Sequence, residues 1–413
     1  MRNTKHKLFH DKSLKHLHDN LNIIGIVRNH FNALARRYYR RYGKELSYSK
    51  MSKHLTKLKK LEKYAYWNIP YSWALQNMLK RLAQSFREMR TLGRGHPKFK
   101  ACKKHKGMTF DGGQAPIEKV LDKQKHERNH PTYKIRLNGR WYRFALHRAI
   151  EGEILRVQVT RDALGDVYIT LTEDFTEIRY EPKTGKAEGF DFGIKDFLTG
   201  SDGERRSSPM FYKQNADTLV AAQQVHSRKV KGSNNRERER KNVARIHKKT
   251  DQQRVDHHWK LAIELCREFD ILFFEDLNLD GMKRLWGKQV SDLAFGEFLR
   301  KLKHQSHKRI RSVLKIGRWT PTTKCCSVCD HKNESITLAD REWACPKCHT
   351  HLDRDQNAAM NILKEGIASF ALGVVRPIVL FNRIVGTSVE ATSPLLKTTN
   401  ASVVSGTEAP AFR

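Results

Sequence analysis

Along residues 13–92 the apolar positions recur every three or four residues, the period of helices with one buried face. IVRNHFNALARRYY sets Val27, Phe31, Leu34 and Tyr38 on one stripe. SYSKMSKHLTKLKKLEKY repeats the pattern with Met51, Leu55, Leu58 and Leu61, and SWALQNMLKRLAQSFREM with Leu75, Met78, Leu79, Leu82 and Phe86. Ser72, just ahead of that third run, is the expected N-cap. After the Gly/Pro break GRGHPKFK the period falls to two. YKIRLNGRWYRFAL and ILRVQVTRDALGDVYITLTEDF alternate apolar and polar residues around turns at Asn138-Gly139 and Leu164-Gly165. That predicts antiparallel strands over residues 93–182, as a small barrel or curled sheet. KAEGFDFGIKDFLTGSDG then reads as strand, turn and strand. The stretch from Asn215 to Phe269 reads as helix, interrupted near Gly232-Ser233-Asn234. FDILFFEDL is apolar on both faces, which marks a buried strand, and it ends in two acids. Residues 386–413 are Ser/Thr-rich, nearly uncharged and without period, so a disordered tail is expected there.

Charge changes this picture. The chain has 413 residues and a formal net charge of +35, and residues 1–100 hold 24 Lys and Arg against 5 Asp and Glu. The polar faces of the helices therefore carry one sign, which favours a polyanionic partner over ordinary solvated faces. No apolar run reaches the roughly 18 residues of a membrane span. The start, MRNTKHKLFHDKSL, has no apolar signal core, so a cytoplasmic protein is expected. Nothing in the pattern suggests a membrane partner or a small-molecule substrate.

Five of the seven cysteines crowd into residues 325–348. Cys326-x-x-Cys329 and Cys345-x-x-Cys348 are two knuckles 15 residues apart, a spacing that can close a tetrahedral thiolate site for one structural Zn²⁺. The bland reading is a set of reduced core thiols, and Cys325 is read as a bystander. A second set is acidic. Asp191 sits in the apolar strand EGFDFG, Glu275 ends ILFFEDL, and Asp353 and Asp355 sit where a helix starts in HLDRDQNAAMNILKEG. Acids that end buried strands are costly unless paired or metal-bound. Three of them brought together would hold two divalent metals for attack on a phosphodiester. Singly, each signal is weak, and Asp353 or Asp355 could be only a helix cap. The DFG tripeptide does not mark a kinase, because no HRD-type loop or VAIK-like strand accompanies it. A third set is the run Arg236, Arg238, Arg240, Lys241, Arg245, Lys248 and Lys249. It is dense enough to suggest a helix laid along a nucleic-acid backbone, with Glu237 and Glu239 offsetting little of it.

These motifs, in this order, resemble the TnpB family, transposon-encoded relatives of the miniature type V CRISPR effectors. The resemblance rests on EGFDFGIKDFLTGSDG, QQVHSRKVKGSNNRERERKNVARIHKK, ILFFEDLNLDGM and PTTKCCSVCD…WACPKCHTHLDRDQNAAMNI, with SWALQNMLKRLAQSFREM, HPKFK and LAFGEFLRKLKHQSHKR in support. It implies an α+β multidomain chain. A helical recognition lobe (13–92) is inserted in a β-barrel wedge domain (1–12 and 93–182). An RNase H-like, RuvC-type nuclease domain (183–320 and 352–370) follows, with a zinc ribbon (321–351) that touches target nucleic acid. It implies an RNA-guided DNA endonuclease that takes a guide RNA from the transposon end and cuts double-stranded DNA beside a short adjacent motif. By residue match the catalytic, Mg²⁺-binding acids are Asp191, Glu275 and Asp355, with two Mg²⁺ expected, and the Zn²⁺ ligands are Cys326, Cys329, Cys345 and Cys348. One departure is visible: the family's first strand has no counterpart pattern in MRNTKHKLFH. Two other readings stay open, a guided DNA-binding repressor without cleavage and a strand-transfer transposase that uses no guide.

Overall fold

A computed structural model describes residues 1–120, 131–337, 340–372 and 376–379; the tail expected at 386–413 lies outside them. The chain divides into two compact units. One comprises Met1–Glu177 with Asn215–Asp251, and the other Ile178–Gln214 with the chain from Gln252 onward. No helix among the described residues is long and apolar enough to cross a membrane.

The first unit opens with a strand that the hydrophobic pattern hides. β1 (Arg2–Lys7) pairs antiparallel with the later β7 (Val167–Glu173). Its inward residues are Thr4 and His6, both buried, so the alternation runs polar against charged and leaves no apolar signature. The helices follow as α1 (Leu14–Tyr42), α2 (Tyr48–Leu58) and α3 (Ser72–Thr91). Their stripes bury Val27, Phe31, Met51, Leu55, Leu75, Leu79 and Phe86. Ser72 does not cap α3. It is the first helical residue, Tyr71 occupies the cap position without a side-chain bond, and the Ser72 hydroxyl accepts from Lys59 Nζ.

The β region forms two sheets. One runs β1, β7, β6 (Ile154–Arg161), β2 (Gly107–Asp111), and the other β3 (Ile117–Lys119), β4 (Thr132–Leu137), β5 (Arg140–Ala145). An isolated bridge from Leu8 to Phe144 links them. A continuous core from Leu8 to Leu171 joins both sheets to the three helices. The β4–β5 turn sits at Asn138 and Gly139, both with positive φ (49° and 79°), the geometry that makes Asn-Gly a hairpin turn.

In the second unit, β8 (Ala187–Asp191), β9 (Asp196–Gly200) and β10 (Arg205–Ser207) form an antiparallel run. The short α4 (Phe211–Gln214) comes next, followed in the chain by α5 (Ala216–Arg228) and the 35-residue α6 (Asn234–Glu268), of which α5 and α6 up to Asp251 belong to the first unit; the two are broken between Arg228 and Asn234 as the glycine predicts. Then come β11 (Ile271–Phe274), α7 (Leu279–Leu293), α8 (Phe295–Arg309), β12 (Ser312–Lys315), the ribbon strands β13 (Glu342–Ala344) and β14 (His351–Asp353), α9 (Arg354–Ala371) and β15 (Arg376–Val379). The main sheet has the order β10-β9-β8-β11-β12-β15, with β11 parallel to both β8 and β12. Leu272 and Phe274 face a core with Leu261, Leu265, Phe295 and Phe298, while Phe273 faces another with Leu314 and Ile362. Burial on both faces explains why ILFF shows no alternation.

Candidate metal centres

Strand register brings the first two acids together. Phe274 of β11 lies opposite Phe190 of β8 in a parallel pair. The next residue along each strand is an acid, Glu275 and Asp191, so both emerge at the same end of the sheet. The third comes from α9, which packs onto the sheet where side chains are missing. A Cβ on Gly189 would overlap Ala359 O and Leu363 N, and one on Gly366 would overlap the Phe273 ring. Bare glycines thus let the helix settle on β8 and β11, and its first turn carries Asp355 to Asp191. Burial, then the charges of Glu275 and Asp355, push the Asp191 carboxyl up to about 7, with Arg354 pulling the other way. Glu275 is raised by burial and by Asp276.

The two acids of LDRD have separate jobs. Asp353 is the N-cap of α9: its Oδ1 accepts from Gln356 N at 2.9 Å, and its Oδ2 from Arg205 Nη2 at 2.6 Å. Asp355 is buried, and its oxygens accept from Arg341 Nη1 at 2.8 Å and Arg354 Nη2 at 3.0 Å. Asp276, beside Glu275, is held by Lys315 Nζ at 2.8 Å and Arg318 Nη2 at 3.0 Å, which keep it below the usual carboxylate range. Asp191, lifted by two neighbouring carboxylates, suits a divalent cation, which would relieve that repulsion.

The four cysteines converge as their spacing predicts. Their Sγ atoms all lie within 4.8 Å of one another, with Cys326–Cys348 at 3.7 Å and Cys329–Cys345 at 3.6 Å. A tetrahedron with Zn–S of about 2.3 Å has sulfur–sulfur edges of about 3.8 Å, so the donor set fits one Zn²⁺. The two knuckles repeat one backbone turn. Asp330 N donates to Cys326 O and His349 N to Cys345 O, each at 2.9 Å, and Asp330 and His349 both take φ 59°. Bonds from Thr350 pull the Cys348 thiol down to about 6, while a backbone bond that lowers Cys329 is outweighed by burial and bonds among the clustered thiols, which push it up to about 12; a bound metal would take all four as thiolates. Cys325 stands apart, its Sγ on Asp330 O at 3.3 Å.

Sequence reading missed the joint between ribbon and helix. Asn357 Nδ2 and Asn361 Nδ2 each donate to Cys325 O at 2.7 Å. Asn361 Nδ2 also reaches Thr322 O at 2.7 Å, and Ser327 N donates to Asn357 Oδ1 at 2.8 Å. The i, i+4 spacing of two asparagines beside the acid was the available signal. Arg341 had none, because only the folded ribbon brings it back to Asp355.

The basic run on α6 divides. Arg236 donates to Lys229 O at 2.6 Å, and Arg238 pairs with Glu239 at 3.3 Å. Arg240 grips both Glu237 oxygens at 2.7 Å and reaches Ala163 O at 2.8 Å. Lys248 is held by Asp162 at 2.8 Å, Asp166 at 2.9 Å and Tyr168 Oη at 2.7 Å. Burial pulls its pKa down, but these bonds carry it above its ordinary value. The acids therefore offset more of the run than the sequence suggests. Lys241 is half-buried, while Arg245 and Lys249 are exposed.

The chain resembles known proteins along most of its length. Residues 157–285 match the family model OrfB_IS605, described as "Probable transposase", and residues 295–362 match the Cas12f1-like TNB domain. A "Putative RNA-guided DNA endonuclease" of Streptomyces pristinaespiralis is 32% identical over 362 residues, covering 84% of this chain and 86% of its own. The "Putative RNA-guided DNA endonuclease InsQ" of Escherichia coli K12 is 25% identical over 348 residues, covering 80% and 83%. A solved Cas12f1–sgRNA–target DNA complex contains a chain of similar fold, with TM-score 0.52, 15% identity and coverage of 85% and 83%. Several sheets, a mixed α/β build and a four-thiol cluster define a protein with the fold of the miniature Cas12f-type effectors. Within that class, the chain belongs to the TnpB family.

Proposed function

We propose that this protein is an RNA-guided DNA endonuclease that binds a transposon-derived guide RNA and cuts complementary double-stranded DNA beside a short adjacent motif. The observation that carries the reading is the convergence of Asp191, Glu275 and Asp355 from β8, β11 and α9 at one end of the main sheet. The antiparallel β8–β9–β10 run continued by parallel β11 and β12 supports an RNase H-like, RuvC-type nuclease domain. Residues 13–92 serve as recognition lobe, 1–12 with 93–182 as wedge, and 321–351 as target-contacting ribbon.

Asp191, Glu275 and Asp355 are the residues that would hold Mg²⁺, and Cys326, Cys329, Cys345 and Cys348 would hold a structural Zn²⁺. Bound Mg²⁺ supplies an activated water and charge neutralisation for the leaving 3′ oxygen. The chain's own part is positional. The sheet register fixes the spacing of Asp191 and Glu275. Asp353 caps α9 and fixes its first turn, which brings the charge of Asp355 to bear on Asp191. Arg354 and Arg341 supply positive charge beside the site, where a phosphate backbone would arrive. Sequence choice is delegated to guide pairing, and the exposed cations hold phosphates without reading bases.

The test is to purify the full chain with its copurifying RNA, sequence that RNA, and supply Mg²⁺ with DNA matching the guide. Cleavage that disappears in Asp191→Ala supports the reading. A discrete guide with target binding but no cleavage in the wild type moves it to a guided repressor, and no bound RNA moves it to a guide-free transposase.

A further inference from the structure

Trp319 is 91% exposed, the most solvated large aromatic among the described residues. An indole left in water is costly, and a loose surface loop is where it would cost least. Trp319 is not on a loose loop. Ile316 N donates to Phe274 O at 2.9 Å, which continues the sheet one residue past β12, at the end where Glu275 follows Phe274. The chain then turns through Gly317–Thr320, closed by Thr320 N on Gly317 O at 3.3 Å. Arg318 Nε reaches Asp276 O at 3.2 Å and its Nη2 reaches Asp276 Oδ2 at 3.0 Å, while Lys315 takes the other Asp276 oxygen at 2.8 Å. The turn is thus tied by two cations to the residue after Glu275. Two cations on one carboxylate leave a net positive charge beside the ring.

We propose that Trp319 is a stacking platform for an unpaired base of the DNA strand presented to the carboxylates. An exposed ring on a turn that Arg318 ties to Asp276, at the sheet end where Glu275 follows Phe274, matches single-stranded nucleic acid, whose bases stack on aromatics while its phosphates meet Lys and Arg. Duplex DNA does not offer this contact, because its faces are already stacked. The platform rests on the endonuclease reading for its purpose: it would hold one base so that the neighbouring phosphodiester lies at Asp191, Glu275 and Asp355.

The test separates the two. Full-length protein with its copurified RNA is titrated, without added Mg²⁺, with short single-stranded oligodeoxynucleotides carrying 2-aminopurine, and with the same sequence as duplex. Trp319→Ala is expected to weaken single-strand binding by roughly ten-fold and to abolish the 2-aminopurine quench. Trp319→Phe is expected to keep most of both, and duplex binding should not move. An unchanged melting temperature shows that the turn still folds. Equal single-strand affinity in wild type and Trp319→Ala overturns the platform, as does an equal loss on duplex. Guided cleavage is scored separately with Mg²⁺. A wild type that quenches but never cuts sinks the endonuclease reading and keeps the platform, whereas a wild type that cuts, with Trp319→Ala binding single strands and cutting just as well, sinks only the platform.

Discussion

At the scale of single residues, Asp353 and Asp355 show where sequence stops. Both lie at a helix start, where a carboxylate is as readily a cap as a ligand, so LDRD by itself leaves the choice open. The fold separates them, because Asp353 spends its oxygens on Gln356 N and Arg205 while Asp355 bonds two arginines and lies near enough to Asp191 for its charge to raise that carboxyl. Asp355→Asn should therefore abolish cleavage of guide-matched DNA while leaving guide retention intact. Asp353→Ala should lower stability by about 1 kcal/mol, the usual loss for an N-cap, and keep measurable cleavage. Gel assays with melting curves on both variants check this, and a reversed pattern would reassign the third acid. The arginines carry a second expectation. Because Arg341 and Arg354 already counter Asp355, the acidic site does not need metal in order to fold. Withdrawing Mg²⁺ should stop cleavage and lower the melting temperature only by the small stabilisation that binding adds, and a large drop would mean that these ion pairs do not form in solution.

At the scale of elements, α9 joins the two candidate metal centres. Its first turn bears Asp355, and its next turns bear Asn357 and Asn361, which hold the loop around Cys325. The knuckles were legible because thiolate spacing is set by the metal's own geometry. The joint was not, because an asparagine bonding a distant carbonyl leaves no periodic trace. β1 was hidden for a related reason: Thr4 and His6 fill inward positions that apolar residues would have announced. Two measurements follow. Cys326→Ser or Cys348→Ser should lose bound zinc and unfold the ribbon, whereas Cys325→Ser should keep about one zinc per chain by elemental analysis. Asn357→Ala leaves Ser327 N and one bond to Cys325 O unmade, and should cost about 1–3 kcal/mol. Hydrogen exchange in residues 321–337 should rise while zinc stays bound. Zinc loss in Asn357→Ala would instead make the joint part of the metal site.

At the scale of the whole molecule, the charge of +35 was plain from composition, but the duty of each cation was not. The run on α6 looked uniform because sequence cannot show which acids fold back to meet it. Asn215–Asp251 groups with the first unit rather than with the strands on either side of it. Within that unit the β6–β7 hairpin offers Asp162, Asp166 and Tyr168 to Lys248, contacts some 80 residues away in sequence. The run therefore contains structural cations, Arg240 and Lys248, and solvent-facing ones, Arg245 and Lys249. Phosphate neutralisation releases counterions, so each lost contact should flatten log affinity against log salt by roughly one unit. Arg245→Gln with Lys249→Gln should flatten that slope by up to about two units and weaken binding of two unrelated guides alike, with no change in melting temperature. Lys248→Gln should do the opposite: it removes the cation shared by Asp162 and Asp166, leaving Asp166 with Lys7 alone, and lowers stability, but leaves the salt slope where it was. A salt titration and a melting curve on both variants decide the matter. If Lys248→Gln flattens the slope and Arg245→Gln with Lys249→Gln does not, the hairpin contacts give way to nucleic acid, and the division of labour along α6 is the reverse of the one described.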